Sequence, residues 1–190
     1  MGTSEVTLID LTSAFAVFPN KGEKIKPYGV IEVMDRQGRV IWRVKPQKRL
    51  VMSRSAAAIV TNMLAGVIQE GTGKKARVIG HPIGGKTGTT SNYKDALFIG
   101  FSPSIATGVW VGNDLGGTLG DKETGAKAAL PIWIKFMDAA LATEFHQYFD
   151  IPDDVVQIRM DLKTGRVAYE NSPHAVSALF KKGTEPKSYP

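Results

Sequence analysis

The hydrophobic positions of this chain change period several times, and each change marks an element. Leu8, Leu11, Phe15 and Phe18 recur at helical spacing. Thr7 with Asp10 three residues later forms a start like a capping box, and Pro19-Asn20 ends the helix. The stretch YGVIEVMDRQGRVIWRV then reads as two strands around an Asp-Arg-Gln-Gly turn, a β-hairpin. A second helix is capped by Ser53 or Ser55 and closes at Gly71. Its predicted apolar face is Ala56, Val60, Leu64 and Val67, with Ile59, Met63 and Ile68 beside it.

Three apolar segments follow, over 83–90, 96–101 and 106–112. The links SNYKD and SPSI are too short for crossover helices, so the three strands are predicted to be antiparallel neighbours. A glycine-rich stretch, GNDLGGTLGDKETG, leads to a third helix near Pro131, a residue suited to a first helical turn. Trp133, Phe136, Met137, Ala140 and Leu141 supply its apolar face. From about Asp150 the pattern predicts a small hairpin, VQIRMDLKTGRVAYE, and a polar tail ending in proline. The expected fold class is α+β, an antiparallel sheet flanked by helices. The expected division is 1–149 for the main body and 150–190 for the C-terminal hairpin and tail.

Composition narrows the chemistry. With 43% hydrophobic and 22% charged residues in 190, a packed core is expected. The net charge is +6, and much of it comes from the stretch between Lys21 and Arg54. That stretch lacks the aromatic interleaving of single-strand binders, so no nucleic-acid partner is expected. It reads as a solvated basic face, or as a surface for an anionic partner such as a membrane or a cell-wall polymer. The absence of cysteine excludes disulfides, thiol catalysis and cysteine-bound metal. His81, His146 and His174 show no ligand spacing, so no metal is expected. No basic start followed by a long apolar run is present, so any export signal or membrane span is expected to lie outside this chain.

The candidate chemistry lies in IGGKTGTTSNYKDA, around Lys86. On a strand, Lys86, Gly88 and Thr90 face one way, and Thr87 and Thr89 the other. Lys86 would bring a compact positive charge, and a threonine hydroxyl a directional donor to a carboxylate. Gly88 would admit a substrate backbone, with Gly84 and Gly85 clearing more room. The Thr89 N–H, free at a sheet edge, would donate to a developing oxyanion. A polar, glycine-rich edge strand without function fits the same residues. Lys163-Thr164-Gly165 repeats the tripeptide where a hairpin turn is expected, without the flanking glycines and threonines, and reads as a turn.

The wider neighbourhood is more specific. Gly71-Thr72-Gly73 with Ala76, the run from Gly85 to Thr90, Asp95 with Phe98 and Gly100, and Val109-Trp110-Val111-Gly112 together resemble the transpeptidase domain of penicillin-binding proteins, especially the bifunctional class A group. The helix ALPIWIKFMDAAL and the late GTEP share the likeness, which runs from about Thr3 to Leu141 and returns at the end. The resemblance implies an enzyme that cross-links peptidoglycan stem peptides through an acyl-serine intermediate, needs no cofactor for that step, and is acylated by penicillins. It implies that Lys86 belongs to the electrostatic and proton-handling set, that Thr87 and Thr89 hold the substrate's terminal carboxylate, and that the Thr89 N–H is half of an oxyanion hole.

Two further motifs of that family, Ser-x-x-Lys with the nucleophile and Ser-x-Asn, are not where the resemblance would put them. The one Ser-x-x-Lys match, Ser91-Asn92-Tyr93-Lys94, falls in a short link between strands, whereas the chemistry needs serine and lysine one turn apart on a helix. The expectation is the C-terminal portion of a transpeptidase domain, inactive alone. The parent would stand at the outer face of the cytoplasmic membrane, with a glycosyltransferase domain upstream. Stem peptides and β-lactams would bind through the complete domain, together with its missing N-terminal half. An exposed sheet edge would invite self-association. A non-catalytic wall-peptide binding or scaffold module is the alternative, and an unrelated glycine-rich α+β domain a further one.

Overall fold

The computed structural model describes residues 5–187, so the chain ends included in the two expected divisions lie partly outside the described residues. Helix α1 spans Leu8–Ala16, and Thr7 caps it as expected. Its hydroxyl donates to the Asp10 carboxylate at 2.6 Å, and its oxygen accepts from the Asp10 N–H at 3.1 Å. Strands β1 (Glu23–Ile25), β2 (Glu32–Met34), β3 (Val40–Arg43) and β4 (Lys48–Leu50) form two small antiparallel pairs, β1 with β4 and β2 with β3. The β2–β3 turn is held by Asp35. Its carboxylate accepts from the Arg39 N–H first of all, then from the Arg39 side chain and the Gln37 N–H, and these contacts hold its pKa below the usual value.

Helix α2, Arg54–Gln69, is capped by Ser53, whose side chain accepts from the Ala56 N–H. Its buried side overlaps the predicted one only in part: Ile68 is fully buried, and Ala56, Ile59, Val60, Leu64 and Val67 are half-buried. Ser55, Ala57, Ala58, Thr61 and Ile68 are buried, whereas Met63 is 65% exposed. The helix touches two sheets at once, and close approach on both sides favours small side chains where periodicity alone assigns large ones.

Those two sheets frame the molecule. Strands β5 (Gly84–Thr89), β6 (Asp95–Phe101) and β7 (Ala106–Gly112) form an antiparallel meander in the order β5-β6-β7. Helix α3, Leu130–Leu141, follows a π-helical turn, Gly125–Ala129, that the sequence did not announce. On α3 the buried residues are Leu130, Trp133, Met137 and Leu141, while Phe136 points outward. Phe98 meets Trp133 edge-to-face at 4.9 Å, and the indole N–H donates to the Thr107 carbonyl at 3.0 Å. Helix α1 packs on the other face of the same sheet, where a Cβ on Gly108 would lie 2.2 Å from the Thr12 hydroxyl oxygen.

The last sheet pairs β8 (Val155–Asp161) with β9 (Ala175–Lys181) over their full length. This differs from the predicted hairpin, whose return strand would follow Gly165 directly. Val167 makes only an isolated bridge to Met160, and the backbone then leaves the ladder. Asn171, Ser172 and Pro173 break the return run, and the alternation that completes the sheet resumes at Ala175, in what was read as tail. Leu179 packs with Val155 and Ala58, and its N–H donates to the Asn62 side chain at 3.2 Å. Asp150 pairs with Lys21 and Arg54, and the Ser55 hydroxyl donates to Asp154 at 2.5 Å, so α2 anchors the connection into β8.

Candidate active site

Strand β5 is an edge of its sheet, and the phase of its ladder decides what that edge offers. The Thr90 N–H donates to the Asp95 carbonyl at 3.1 Å, in register with Lys86 opposite Ile99 and Gly88 opposite Leu97. Antiparallel bonding alternates, so residues 84, 86 and 88 bond to β6. The N–H and C=O groups of Gly85, Thr87 and Thr89 therefore point to the opposite edge, where no strand pairs with β5 among the described residues.

The side chains start on opposite faces but meet at that edge. The Lys86 ammonium donates to the Thr87 carbonyl at 2.8 Å and lies 3.4 Å from the Thr87 hydroxyl. The Thr87 hydroxyl in turn lies 2.8 Å from the Thr72 hydroxyl, so a second segment contributes to the cluster. Thr89 accepts at its hydroxyl from the Gly125 N–H at 3.0 Å. Lys86 and Thr87 are half-buried, Gly88 is buried and Thr89 is exposed. The result is a cation and two hydroxyls beside outward-pointing backbone N–H groups, an arrangement that suits a ligand with a carboxylate and an extended backbone.

Gly84 and Gly85 make room for the protein rather than for a ligand. A Cβ on Gly84 would lie 2.9 Å from the Phe101 ring, and one on Gly85 2.8 Å from the Phe98 ring. The close approach at Gly88 comes from Gly125, whose Cβ would sit 2.5 Å from the Gly88 carbonyl oxygen and 2.3 Å from that of Leu97. Neither Thr72 nor Gly125 is a candidate site residue by sequence. Thr72 was visible within Gly71-Thr72-Gly73, while Gly125 was one glycine among several in a loop. Asp95 is occupied structurally, accepting from the Trp110 indole N–H at 2.9 Å and the Thr90 hydroxyl at 3.0 Å.

Ser91–Tyr93 is a single 3-10 turn with Asn92 and Tyr93 at φ 60° and 52°, so Ser91 and Lys94 are not one helical turn apart. Lys163-Thr164-Gly165 forms a turn with Gly165 at φ 68°, and Asp161 accepts from the Lys163 and Thr164 N–H groups. His81 and His146 stack at 4.3 Å between ring centroids. Among the described residues no group of three or more His, Cys, Asp or Glu is arranged to hold a metal ion.

Residues 1–137 match the family model described as "Penicillin binding protein transpeptidase domain". The chain belongs to the penicillin-binding protein transpeptidase family. Residues 151–189 match a second model, "Penicillin-binding protein 1A, C-terminal domain", which places its relatives in the class A group. The chain is 38% identical over 186 residues to penicillin-binding protein 1A of Aquifex aeolicus, covering 98% of this chain and 26% of that protein. The crystal structure of penicillin-binding protein 1A from Haemophilus influenzae superposes with a TM-score of 0.88 at 26% identity, covering 98% of this chain and 33% of that one. Penicillin-binding protein A from M. tuberculosis, solved as its imipenem acyl-enzyme complex, shares the fold at a TM-score of 0.60 and 23% identity, over 73% of this chain and 33% of that one. The α+β class expected from the pattern is the fold of these transpeptidases. The chain spans about a quarter of the length of the Aquifex relative.

Proposed function

We propose that this chain supplies the substrate-binding edge of a peptidoglycan D,D-transpeptidase, and that the nucleophilic serine is contributed by sequence outside it. The observation that carries this reading is the open edge of β5, where the Lys86 ammonium meets the Thr87 carbonyl and hydroxyl and the Thr89 N–H points outward. A stem peptide ending in D-Ala-D-Ala lies along that edge, and its terminal carboxylate is held by Thr87 and Thr89. The serine attacks the D-Ala-D-Ala carbonyl, and the Thr89 N–H donates to the oxyanion that forms. Lys86 adds positive charge and takes part in proton transfer. The terminal D-alanine leaves, and the amine of a second stem peptide resolves the acyl-enzyme. No cofactor takes part, because acyl transfer by serine needs only nucleophile, base and oxyanion donors.

Residues 1–149 form the contribution to the catalytic domain, and 150–190 an appended unit. The parent works at the outer face of the cytoplasmic membrane, with stem peptides and β-lactams as ligands of the complete domain. No helix among the described residues is long and apolar enough to cross a membrane. The outer edges of β5 and β7 provide backbone groups through which isolated copies self-associate. Incubation of the chain with excess benzylpenicillin, followed by intact-mass measurement, tests the assignment. No covalent adduct is expected from the chain alone, whereas co-expression with a segment carrying Ser-x-x-Lys and Ser-x-Asn restores one adduct per complex. A stoichiometric adduct on the isolated chain would overturn the missing-nucleophile reading, and noncovalent wall-peptide binding without restored acylation would favour the scaffold alternative.

A further inference from the structure

The Thr87 hydroxyl has two neighbours within this chain, and their chemistry limits what it can offer a ligand. The Lys86 ammonium lies 3.4 Å from its oxygen, and an ammonium only donates. The Thr72 hydroxyl lies 2.8 Å from the same oxygen and can serve as donor or acceptor. A hydroxyl has one hydrogen and two lone pairs. Lys86 takes one lone pair, so the sense of the Thr72 bond decides the rest. If Thr72 donates, both lone pairs are filled and the Thr87 hydrogen is left for a ligand. If Thr72 accepts, that hydrogen is spent and Thr87 keeps a free lone pair.

The backbone holds Thr72 in place. The Gly71 and Gly73 N–H groups both donate to the Val67 carbonyl at 3.1 Å, which folds this segment onto the end of α2. A Cβ on Gly71 would lie 2.9 Å from that carbonyl oxygen, and one on Gly73 2.8 Å from the Ile68 side chain. Glycine on either side lets the turn close against α2, and the residue between them reaches β5 with its hydroxyl. Both partners of the contact belong to this chain, so it does not depend on what covers the surrounding surface. Thr89 is oriented by similar means. It accepts from the Gly125 N–H at 3.0 Å, which turns its hydrogen away from that bond.

We propose that Thr72 is a positioning residue that fixes the Thr87 hydroxyl as a donor, and so makes the site select a carboxylate over its isosteric carboxamide. The inference rests on the transpeptidase reading, in which Thr87 and Thr89 hold the terminal carboxylate of the substrate. A carboxylate only accepts, so it takes the Thr87 hydrogen and leaves Thr72 as the donor behind it. A carboxamide carries no charge to meet Lys86 and must aim its NH2 at one of the two hydroxyls. At Thr87 that NH2 meets an oxygen whose lone pairs are filled. Without the Thr72 hydroxyl, Thr87 regains a lone pair and can accept from the amide, so discrimination weakens.

Two thioesters of N-acyl-D-alanine test this in the full-length parent protein, one with a mercaptoacetate leaving group and one with mercaptoacetamide. Each acylation forms the serine ester, breaks the C–S bond and releases the thiol with the proton that the serine loses. A thiol-reactive disulfide reads the release. The unsubstituted protein is expected to prefer the carboxylate ester by about 100-fold. Thr72→Val, with Thr72→Ala as a second variant, should cut that preference about tenfold, and Thr72→Ser should restore it. One benzylpenicillin adduct per molecule identifies the folded variants. A preference unchanged in the valine and alanine variants would overturn the inference and leave the transpeptidase reading in place. So would an equal loss of both rates, the mark of a merely structural role. No preference in the unsubstituted protein would instead overturn the carboxylate assignment of Thr87 and Thr89, and the inference with it.

Discussion

The Thr89 hydroxyl accepts a hydrogen bond from the Gly125 N–H at 3.0 Å, across 36 residues of sequence. That bond fixes the last residue of the edge strand to the turn that opens α3, where a Cβ on Gly125 would lie 2.3 Å from the Leu97 carbonyl oxygen. Gly125→Ala should therefore push the turn off the strand. A loss of about 1–3 kcal/mol is expected from overpacking against backbone, read by urea denaturation of the chain. In a complete domain the same change should slow penicillin acylation by displacing Thr89.

Lys86 tests the site directly. In the complete transpeptidase domain, Lys86→Ala is expected to slow acylation by benzylpenicillin about 100-fold, the scale of losing one aligned electrostatic group. Thermal unfolding measured alongside separates chemistry from folding. An acylation rate equal to that of the unsubstituted domain would remove Lys86 from the site.

Thr72 is the residue the structure adds. Its hydroxyl lies 2.8 Å from that of Thr87. Thr72→Val keeps the shape and deletes the hydrogen bond, a change worth about 1 kcal/mol. The expected result is a several-fold rise in the penicillin concentration needed for half-maximal acylation of the complete domain, with a smaller change in the limiting rate. An equal effect on both would indicate a different role.

The two faces of α2 differ in a way that substitution can read. Ile68 is fully buried, and Ile68→Ala should cost about 2–5 kcal/mol. Met63 is exposed, and Met63→Ala should stay within about 0.5 kcal/mol. Chemical denaturation of both variants is the check, and equal costs would contradict the observed orientation.

Asp161 makes the C-terminal sheet sensitive to acid. The Ser172 hydroxyl and the Lys163 and Thr164 N–H groups stabilise its carboxylate, and His174 adds a favourable charge, so its pKa falls below the ordinary value in the folded state. A folded pKa below the unfolded one contributes stability above the unfolded pKa, and that contribution is lost as pH falls through the folded value. Asp161→Asn should thus destabilise at neutral pH, with the gap between variant and parent chain closing once pH drops below about 4. Thermal melts from pH 7 to pH 3 would show it, and a gap that widened on acidification would be the contrary result.

Local order was determined by the sequence alone. The Thr7 cap, the Asp35 turn, the three short-linked antiparallel strands and the turn at Gly165 follow from bonds between residues a few positions apart, where backbone geometry leaves few choices. The Lys86 strand and its kinship were legible for the same reason, since glycines and hydroxyls at fixed offsets are contiguous. Tertiary structure decided what each element touches. Periodicity placed Ile68 and Trp133 inside, where they are, but also Met63 and Phe136, which lie at the surface: α2 is held between two sheets that admit small side chains, and α3 meets its sheet along Trp133 and Met137. The partner of β8 proved to be β9, because a residue pairs with whichever compatible strand the fold returns to it. Thr72 and Gly125 reach the edge of β5 only through such long-range packing. No local pattern encodes which distant hydroxyl or N–H will complete a site.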